Sequence, residues 1–338
     1  KQLYWLNVTI DYLFELGGEN TNVARYEVET VLECEGYNPN VVFNQQNTVT
    51  FNLSKTLKEN TITRLGMTKR ISKVIHSSKN KDINELINQI KEIDIGNKTF
   101  AIRMISKKMG NERDIAVKLG SKISSENETD LENPQVKVLV FIGKRIMITL
   151  NNNEIRTSYK TCLKNHVRYR PYFSPISIHP RIARAMINMP KCKEGNTIID
   201  PFCGTGGILI EGGKVKLNLI GLDILERMVE NTNGNLKHFG LEGEIKQGDV
   251  RHITEFEFDA IVCDPPYGIS TTTAGEEIND LMRRTMDVFS KSTEKGKRIV
   301  MAVSNPSIIP TKSFTVVKTF EWYVHKSLTR NLLVLEKN

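Results

Sequence analysis

Three apolar runs in the second half of this 338-residue chain each end at an aspartate. They are Ile198-Ile199-Asp200, Leu219-Ile220-Gly221-Leu222-Asp223 and Ile261-Val262-Cys263-Asp264. An apolar run that stops at a polar residue is typical of a buried strand whose carboxyl end opens on a crevice, and open α/β sheets bind their ligands in such crevices. Because parallel strands end at the same edge of a sheet, we expect the three carboxylates to surround one site.

A glycine-rich turn follows the first of these runs, since residues 203–207 read Cys-Gly-Thr-Gly-Gly. Such a turn lets the backbone pass close to a ligand before a helix begins at Ile208. A dinucleotide-binding fold would require Gly-x-Gly-x-x-Gly around a pyrophosphate, whereas an aspartate in front of the turn suits a cationic ligand. S-adenosylmethionine fits, because it carries an ammonium, a sulfonium and a ribose diol but no phosphate. The predicted cofactor contacts are Asp200, Phe202, Gly204, Thr205, Gly206, Asp223 and Asp249.

The motifs occur in an order that resembles a known family. Asp-x-Phe-x-Gly-x-Gly from Asp200, followed by Asp264-Pro265-Pro266-Tyr267, resembles the S-adenosylmethionine-dependent amino-methyltransferases. The predicted catalytic residues are Asp264, Pro265 and Tyr267, and no metal is required. The Asp264 carboxylate and the Pro265 carbonyl can accept hydrogen bonds from an exocyclic amine, and Tyr267 can stack on its base. A nucleotide-binding α/β domain without methyl transfer is the alternative, and it would be favoured if the glycine-rich turn stood alone.

The first half of the chain alternates predicted strands and helices, which favours packed α/β layers. Strands are predicted at 4–10, 49–53, 70–75, 100–105, 136–142 and 146–150, and helices at 23–35, 82–92 and 111–122. The turn Asp130-Leu131-Glu132-Asn133-Pro134 in front of an apolar strand resembles the THUMP domain, an RNA-binding module of tRNA and rRNA modification enzymes. We expect Asp130 and Asn133 to satisfy backbone groups of this turn.

The whole chain is therefore predicted to be an α/β protein with a C-terminal Rossmann-like class I methyltransferase domain, preceded by a ferredoxin-like and THUMP α/β region. The expected domains are a ferredoxin-like domain at 1–58, the THUMP domain at 59–153, a linker at 154–172 and the methyltransferase domain at 173–338.

The net charge of +8 is unevenly distributed along the chain. Residues 60–125 carry 14 basic and 6 acidic side chains, and residues 143–172 carry 7 basic and 1 acidic, whereas residues 173–338 carry 21 and 20. A positive field concentrated on one part of a protein is typical of a polyanion-binding module, although each single charge can equally be an ordinary solvated one. The candidate contacts to tRNA are Lys69, Arg70, Arg103, Lys107, Lys108, Arg168 and Arg170.

Two further features of the central segment have alternative interpretations. Tyr159, Tyr169, Tyr172 and Phe173 alternate with basic residues, so they can stack on bases or dock onto the following domain, and docking is the favoured interpretation. His179 precedes Pro180 at the start of a helix predicted over 182–188. A histidine there can act as a base, but capping the helix is the favoured role.

Composition argues against several classes of protein. The most apolar stretch, 136–150, is interrupted by three basic residues and does not resemble a membrane span, and residues 3–12 resemble a strand more than a signal peptide. Five cysteines without a Cys-x-x-Cys pair argue against a disulfide framework and a zinc site. A cytoplasmic location is expected.

Taken together, the chain resembles the THUMP-containing tRNA methyltransferases, especially the archaeal enzymes that act on guanosine 10. That resemblance implies methylation of guanosine N2 in tRNA, giving N2-methyl- and N2,N2-dimethylguanosine, with tRNA as a partner and a small zinc-binding activator subunit as a further one. Related enzymes that act on guanosine 6 or on rRNA tend to carry Asn at the position of Asp264, which favours position 10. A DNA amino-methyltransferase and a non-catalytic RNA-binding or chaperone protein remain as alternatives.

Overall fold

The structure is a computed structural model, and it describes residues 9–79, 82–105, 111–152, 156–174, 177–266, 277–325 and 328–338. The chain divides into two compact units. The first comprises residues up to Gly18 together with Tyr37–Thr63 and Thr68–Thr157, and the second comprises Glu19–Gly36, Arg64–Met67 and Ser158–Asn338. No described helix has the length and apolar character needed to cross a membrane.

The described elements alternate along the chain as the sequence predicts. The strands are β1 (Ile10–Leu16), β2 (Asn40–Gln45), β3 (Thr48–Leu53), β4 (Thr68–Ser78), β5 (Phe100–Met104), β6 (Val136–Ile142), β7 (Ile146–Asn152), β8 (Thr197–Asp200), β9 (Asn218–Asp223), β10 (Glu244–Gln247), β11 (Ala260–Cys263), β12 (Arg298–Val303), β13 (Phe314–His325) and β14 (Leu328–Lys337). The α-helices are α1 (Thr21–Cys34), α2 (Glu59–Arg64), α3 (Ile83–Gln89), α4 (Glu112–Gly120), α5 (Pro180–Asn188), α6 (Gly207–Gly213), α7 (Glu226–His238) and α8 (Ile278–Ser292).

A seven-stranded sheet organises the first unit, with the strand order β2-β3-β1-β4-β7-β6-β5. Its neighbouring strands are antiparallel except for the parallel pair β5 and β6. Since β1 pairs with both β3 and β4, the two regions predicted as separate domains share this sheet, and the predicted boundary after residue 58 does not coincide with a sheet edge. The strand predicted at 4–10 falls mostly outside the described residues, and the described strand begins at Ile10.

Helices α3 and α4 cover the β5, β6 and β7 end of this sheet with a shared apolar core. Asp82 caps α3 by accepting from the backbone amides of Asn84 and Glu85. The turn before β6 is held by Asp130, whose Oδ1 accepts from the amides of Glu132 and Asn133 at 2.9 Å each. This confirms the expectation that Asp130 satisfies backbone groups of the turn.

The second unit is a doubly wound sheet with the strand order β10-β9-β8-β11-β12-β14-β13. The first five of these strands run parallel, and β14 is antiparallel to both β12 and β13. The chain builds outward from β8 to β10 and then returns to β11 on the other side of β8. The carboxyl ends of β8 and β11 therefore flank the topological switch point, where open α/β sheets bind ligands.

Helix α1, predicted to belong to an N-terminal domain, is part of the second unit. The physical reason is the fully buried Glu27, whose carboxylate accepts from the amides of Gly66 and Met67 and from the side chain of Asn188, each at 2.9 Å. A buried carboxylate is stable only where such partners are available. These hydrogen bonds tie α1 to α5.

Candidate active site

The backbone geometry of the glycine-rich turn requires glycine at two positions. Gly204 and Gly206 have φ angles of +54° and +79°, which side-chain-bearing residues rarely adopt. The turn is fastened by hydrogen bonds from the Gly206 amide to the Cys203 carbonyl at 2.8 Å and from the Cys203 amide to the Leu222 carbonyl at 2.9 Å. A Cβ added to Gly204 would meet no heavy atom within 4 Å. Open space therefore lies above Gly204, where a ligand can approach the backbone.

Asp223 ends β9 beside this turn, as the sequence predicts. Its Oδ2 accepts from the amide of Gly204 at 3.0 Å, and its Oδ1 accepts from the amide of Leu225 at 3.0 Å. Burial raises the pKa of Asp223, and the two amides offset part of that effect. Each carboxylate oxygen can accept a second hydrogen bond, so the group fits the two donors of a ribose diol.

Asp200, at the end of β8, is only 1% exposed and accepts one hydrogen bond among the described residues, from the amide of Phe202 at 3.1 Å. Burial raises the pKa of Asp200 well above its usual range, and the neighbouring carboxylates Asp264 and Asp223 raise it further. A cation placed here would favour the ionised carboxylate. The site therefore fits the ammonium of the cofactor's amino-acid end. Phe202 is half-buried and packs against the core of the second unit.

Asp249 has a different environment from the other strand-end carboxylates. Its Oδ1 accepts from the amide and the Nε of Arg251 at 2.8 and 2.7 Å, and its Oδ2 accepts from Nη1 of Arg284 at 2.9 Å. Burial acts to raise the pKa of Asp249, but these hydrogen bonds outweigh it and hold the pKa below its usual range. Asp249 thereby caps the 3₁₀ helix Val250–Glu255 and links it to α8. Its contact with the cofactor stays a prediction.

Asp264 follows β11 and pairs with an arginine that the sequence analysis did not single out. Nη2 of Arg330 lies 3.3 Å from Oδ2 of Asp264, with side-chain exposures of 10% and 16%. Because β14 runs antiparallel to β12, its first residues lie at the edge where the parallel strands end. No local sequence signal links the two residues, because they lie far apart in the chain. Pro265 is buried, and Tyr267 lies outside the described residues.

Tyr172 and Ser177, which precede α5, are connected to the glycine-rich turn by side-chain hydrogen bonds. The Oγ atoms of Ser177 and Thr205 lie 3.0 Å apart. Asn235 on α7 donates to the carbonyls of Thr205 and Tyr172 at 2.9 and 3.1 Å, and it accepts from the amide of Tyr172 at 3.1 Å. Sequence reasoning missed Asn235, since a polar residue inside an amphipathic helix gives no local signal of this role.

His179 caps α5, as favoured from the sequence. Its Nδ1 accepts from the amide of Arg181 at 3.3 Å. Burial, with smaller effects of Arg181 and His166, lowers the pKa of His179 to about 4. The ring is therefore neutral at pH 7 and can serve as the acceptor of this cap.

The predicted tRNA contacts have varied environments. In the first unit Lys69 is exposed, Arg70 pairs with Glu15 at 3.2 Å, and Arg103 donates to the carbonyl of Leu131 in the turn before β6. Lys107 and Lys108 lie outside the described residues.

The two predicted tRNA contacts in the second unit differ in exposure. Arg168 is exposed, whereas Arg170 is only 5% exposed. The Nε of Arg170 donates to the carbonyl of Asn165 at 2.9 Å. Its guanidinium lies close to Gly207, since Nη1 would be 3.1 Å from a Cβ added there. A cation must be accessible to bind a phosphate of tRNA. The burial of Arg170 therefore distinguishes it from the exposed candidate contacts to tRNA, such as Lys69 and Arg168.

Comparisons with known proteins agree with this geometry. Residues 167–329 match the family described as UPF0020, RMKL-like, methyltransferase domain. The chain is 32% identical over 333 residues to the tRNA (guanine(10)-N2)-dimethyltransferase of Methanothermobacter thermautotrophicus, covering 95% of this chain and 98% of that protein. It is 33% identical over 270 residues to the enzyme of the same name from Pyrococcus abyssi, covering 76% of this chain and 79% of that protein.

A solved structure supports the fold as well. TrmN from Thermus thermophilus matches with a TM-score of 0.56 and 16% identity, covering 97% of this chain and 100% of that chain. With a methyltransferase domain built on a doubly wound sheet and a relative that is 32% identical over 95% of this chain, the chain belongs to the family of tRNA (guanine(10)-N2)-dimethyltransferases.

Proposed function

We propose that this protein transfers methyl groups from S-adenosylmethionine to the exocyclic N2 of guanosine 10 in tRNA, giving N2-methyl- and N2,N2-dimethylguanosine. The observation that carries the proposal is the placement of Asp264, directly before Pro265, at the switch point that Asp200 also borders. The acceptors that can orient an amine thus lie at the same sheet edge as the strand-end carboxylates Asp200 and Asp223.

The residues present fit the cofactor. Asp223 would hold the ribose diol, Asp200 would face the ammonium, and the turn around Gly204 would let the backbone approach the amino-acid end. Bound there, S-adenosylmethionine supplies an electrophilic methyl group on its sulfonium. Methyl transfer is an in-line displacement, so the contribution of the protein consists mainly of positioning and exclusion of water.

The chemical difficulty lies in the acceptor amine. The lone pair of a guanine N2 is delocalised into the purine ring, so the amine is a poor nucleophile. Hydrogen bonds from its N–H groups to the Asp264 carboxylate and the Pro265 carbonyl turn the lone pair toward the methyl group. The carboxylate also stabilises the positive charge that develops on the amine. Arg330, at Oδ2 of Asp264, restrains the orientation of that carboxylate.

Binding of the tRNA is assigned to the THUMP-like region at 59–153, supported by the Asp130 turn in front of β6 and by the basic excess of residues 60–125. The cytoplasmic location expected from the sequence is part of this proposal. A small zinc-binding activator subunit is a candidate partner because of the family resemblance, and its test is the methylation rate of the isolated chain with and without that subunit.

The test of the proposed function is mass spectrometry of nucleosides from unmodified tRNA incubated with the protein and isotope-labelled cofactor. We expect labelled N2-methyl- and N2,N2-dimethylguanosine, and none from a matched tRNA that carries adenosine at position 10. Equal labelling of that control would place the target elsewhere, for example at guanosine 6. Labelling of duplex DNA but not of tRNA would support the amino-methyltransferase alternative and contradict the proposal.

A further inference from the structure

Exposed aromatic side chains are concentrated in one short stretch of the second unit. Among the described residues four aromatic side chains are exposed, and three of them are Tyr169, Tyr172 and Phe173, at 54%, 43% and 62%. We call these three residues the aromatic run. A cluster of exposed apolar groups costs solvation free energy and commonly marks an interaction surface.

The aromatic run is fixed in place although its rings are exposed. The backbone amide and carbonyl of Tyr172 both bond to the side chain of Asn235, which also binds the carbonyl of Thr205 in the glycine-rich turn. The ring of Tyr172 lies against Gly234, where an added Cβ would be 2.2 Å from Cε2. Between the rings, the buried Arg170 anchors the segment. The aromatic run is therefore preorganised beside the predicted cofactor site.

This arrangement agrees only in part with the interpretation favoured by the sequence. Docking onto the methyltransferase fold applies to Tyr159, whose ring packs under Arg181 at 3.5 Å and whose hydroxyl donates to Glu19 at 3.2 Å. In the aromatic run the backbone of Tyr172 is docked through Asn235 and one side of its ring lies against Gly234, yet all three residues remain exposed. The order of residues along the chain could not distinguish these two outcomes.

The charge around the aromatic run indicates the kind of partner. Residues 155–193 contain nine Lys and Arg and no Asp or Glu. Arg168 is exposed, with its guanidinium 5.3 Å from the ring centroid of Tyr169, and Lys164, in the preceding 3₁₀ helix Thr161–Asn165, is also exposed. Aromatic faces combined with cations are the surface on which unpaired nucleotides stack, since every base has a π-face and every linkage a negative charge.

We propose that Tyr169, Tyr172 and Phe173 form a stacking surface for unpaired nucleotides of the substrate RNA. The proposal rests on the proposed function for its substrate class and adds the part of the RNA that is bound and the residues that bind it. Because the aromatic run is hydrogen-bonded through Asn235 to the glycine-rich turn, stacking there places an unpaired segment next to the methylation site.

The experiment measures binding of the full-length protein to unmodified tRNA, to a short single-stranded oligoribonucleotide and to a blunt RNA duplex by fluorescence anisotropy. The double variant Tyr169→Ala/Phe173→Ala is expected to bind tRNA and the oligoribonucleotide at least tenfold more weakly, since each base stacked on an aromatic ring contributes about 5- to 150-fold. Binding of the duplex should be unchanged. Affinity for S-adenosylmethionine, measured by calorimetry, should also be unchanged, which shows that the variant is folded.

Matched variants separate stacking from other roles. Tyr169→Phe/Phe173→Tyr keeps both rings and should bind like the parent, whereas Tyr169→Leu/Phe173→Leu keeps apolar surface without rings and should behave like the alanine variant. Val316→Ser, at an exposed apolar position on β13, is the control for loss of apolar surface. The salt dependence of binding should keep its slope in the alanine variant, because no phosphate contact is lost.

If the alanine variant binds tRNA with the affinity of the parent, the proposed stacking surface is wrong. If only the leucine variant does so, the proposal is also wrong, and that result would favour a protein partner on the same residues. Either result leaves the proposed function standing if the parent protein still produces N2-methylguanosine in tRNA. Failure of the parent to methylate tRNA would instead contradict the proposed function.

Discussion

At the scale of single residues, carboxylates at one sheet edge have distinct environments. Asp223 is held by two backbone amides, Asp249 by two arginines, Asp264 by Arg330, and Asp200 by a single amide in a fully buried position. All four residues are aspartates, so their different roles follow from their surroundings. The environment of Asp223 suits hydrogen bonds from a ligand's hydroxyl groups, and that of Asp200 suits a bound cation. The predictions at this scale follow from these differences.

Asp264→Asn preserves the shape of the side chain and removes its negative charge. An amide must either present its oxygen to the amine or place a donor against a donor, and it cannot stabilise the cationic amine. We expect the single-turnover rate to fall by about 10²- to 10⁴-fold with tRNA and cofactor affinity nearly unchanged. Parental rates for both methylations in rapid-quench measurements would make Asp264 a structural residue of the turn.

Arg330→Met removes the cation at Oδ2 of Asp264 while retaining much of the side-chain volume. The expected result is a lower single-turnover rate with little change in cofactor affinity, and Arg330→Lys should recover part of the rate because it restores the charge without the planar fork. In a double-mutant cycle, Arg330→Met should cost much less in the Asp264→Asn background. Equal costs in both backgrounds would show that Arg330 acts independently of Asp264.

Asp200 makes cofactor binding depend on pH. Burial raises the pKa of the Asp200 carboxyl in the free protein, and a bound ammonium favours its ionised form, so binding releases protons. Affinity should therefore rise as the pH increases above the ordinary pKa of an aspartate, over the range in which the cofactor's ammonium remains protonated. Calorimetry in two buffers of different ionisation enthalpy measures the released protons. Asp200→Asn should bind more weakly and lose the pH dependence, and a pH-independent parent would exclude Asp200 as the partner of the ammonium.

At the scale of elements, helices α5 and α6 are joined by a buried ion pair. Nη2 of Arg184 lies 2.8 Å from Oε2 of Glu211, with side-chain exposures of 3% and 0%. Glu211 also accepts from Asn165 at 2.8 Å, so its carboxylate joins three segments. Because α6 begins at Gly207, this pair helps to orient the end of the glycine-rich turn.

Glu211→Leu leaves the guanidinium of Arg184 buried without its partner. Loss of one member of a buried pair costs about 3–5 kcal/mol, so urea unfolding should show a destabilisation of that order. Replacing both members, in Arg184→Met/Glu211→Leu, should recover a substantial part of the stability, since an apolar pair of similar volume avoids the unpaired charge. A double variant as unstable as the single one would mean that Asn165 and the other partners of Glu211 dominate.

At the scale of the whole molecule, the division into two units affects how cofactor binding and tRNA binding can be tested separately. A fragment from residue 173 onward, the methyltransferase domain expected from the sequence, would be the simplest protein in which to test cofactor binding without tRNA binding. That fragment would lack α1, whose Glu27 bonds to Asn188, so it would expose the polar groups that α1 satisfies. The independence of cofactor binding from tRNA binding is therefore better tested with substitutions in the full chain.

Charge reversal in the first unit provides that test, with Lys69→Glu/Lys73→Glu on exposed positions of β4. If these residues neutralise phosphates, tRNA affinity should fall, and the slope of log affinity against log salt should decrease by about 0.7 to 0.9 per lost contact. Calorimetric affinity for S-adenosylmethionine should not change. Lys295→Glu, in the loop before β12, is a matched control, and an equal loss of tRNA affinity in it would indicate a non-specific charge effect.

Local patterns in the sequence determined the strands and turns that build the candidate site. Apolar runs ending at Asp200, Asp223 and Asp264 predicted β8, β9 and β11, and the glycines at 204 and 206 predicted a turn that passes close to a ligand, in which both have positive φ. These features are visible in sequence because strand burial and positive φ impose requirements on neighbouring residues.

Only the tertiary structure decided features that depend on distant segments. They include the pairing of Asp264 with Arg330, the assignment of α1 to the second unit through Glu27, and the exposure of Tyr169, Tyr172 and Phe173. The order of strands in a sheet and the packing of helices against it set which of these residues meet, and no local periodicity encodes that order.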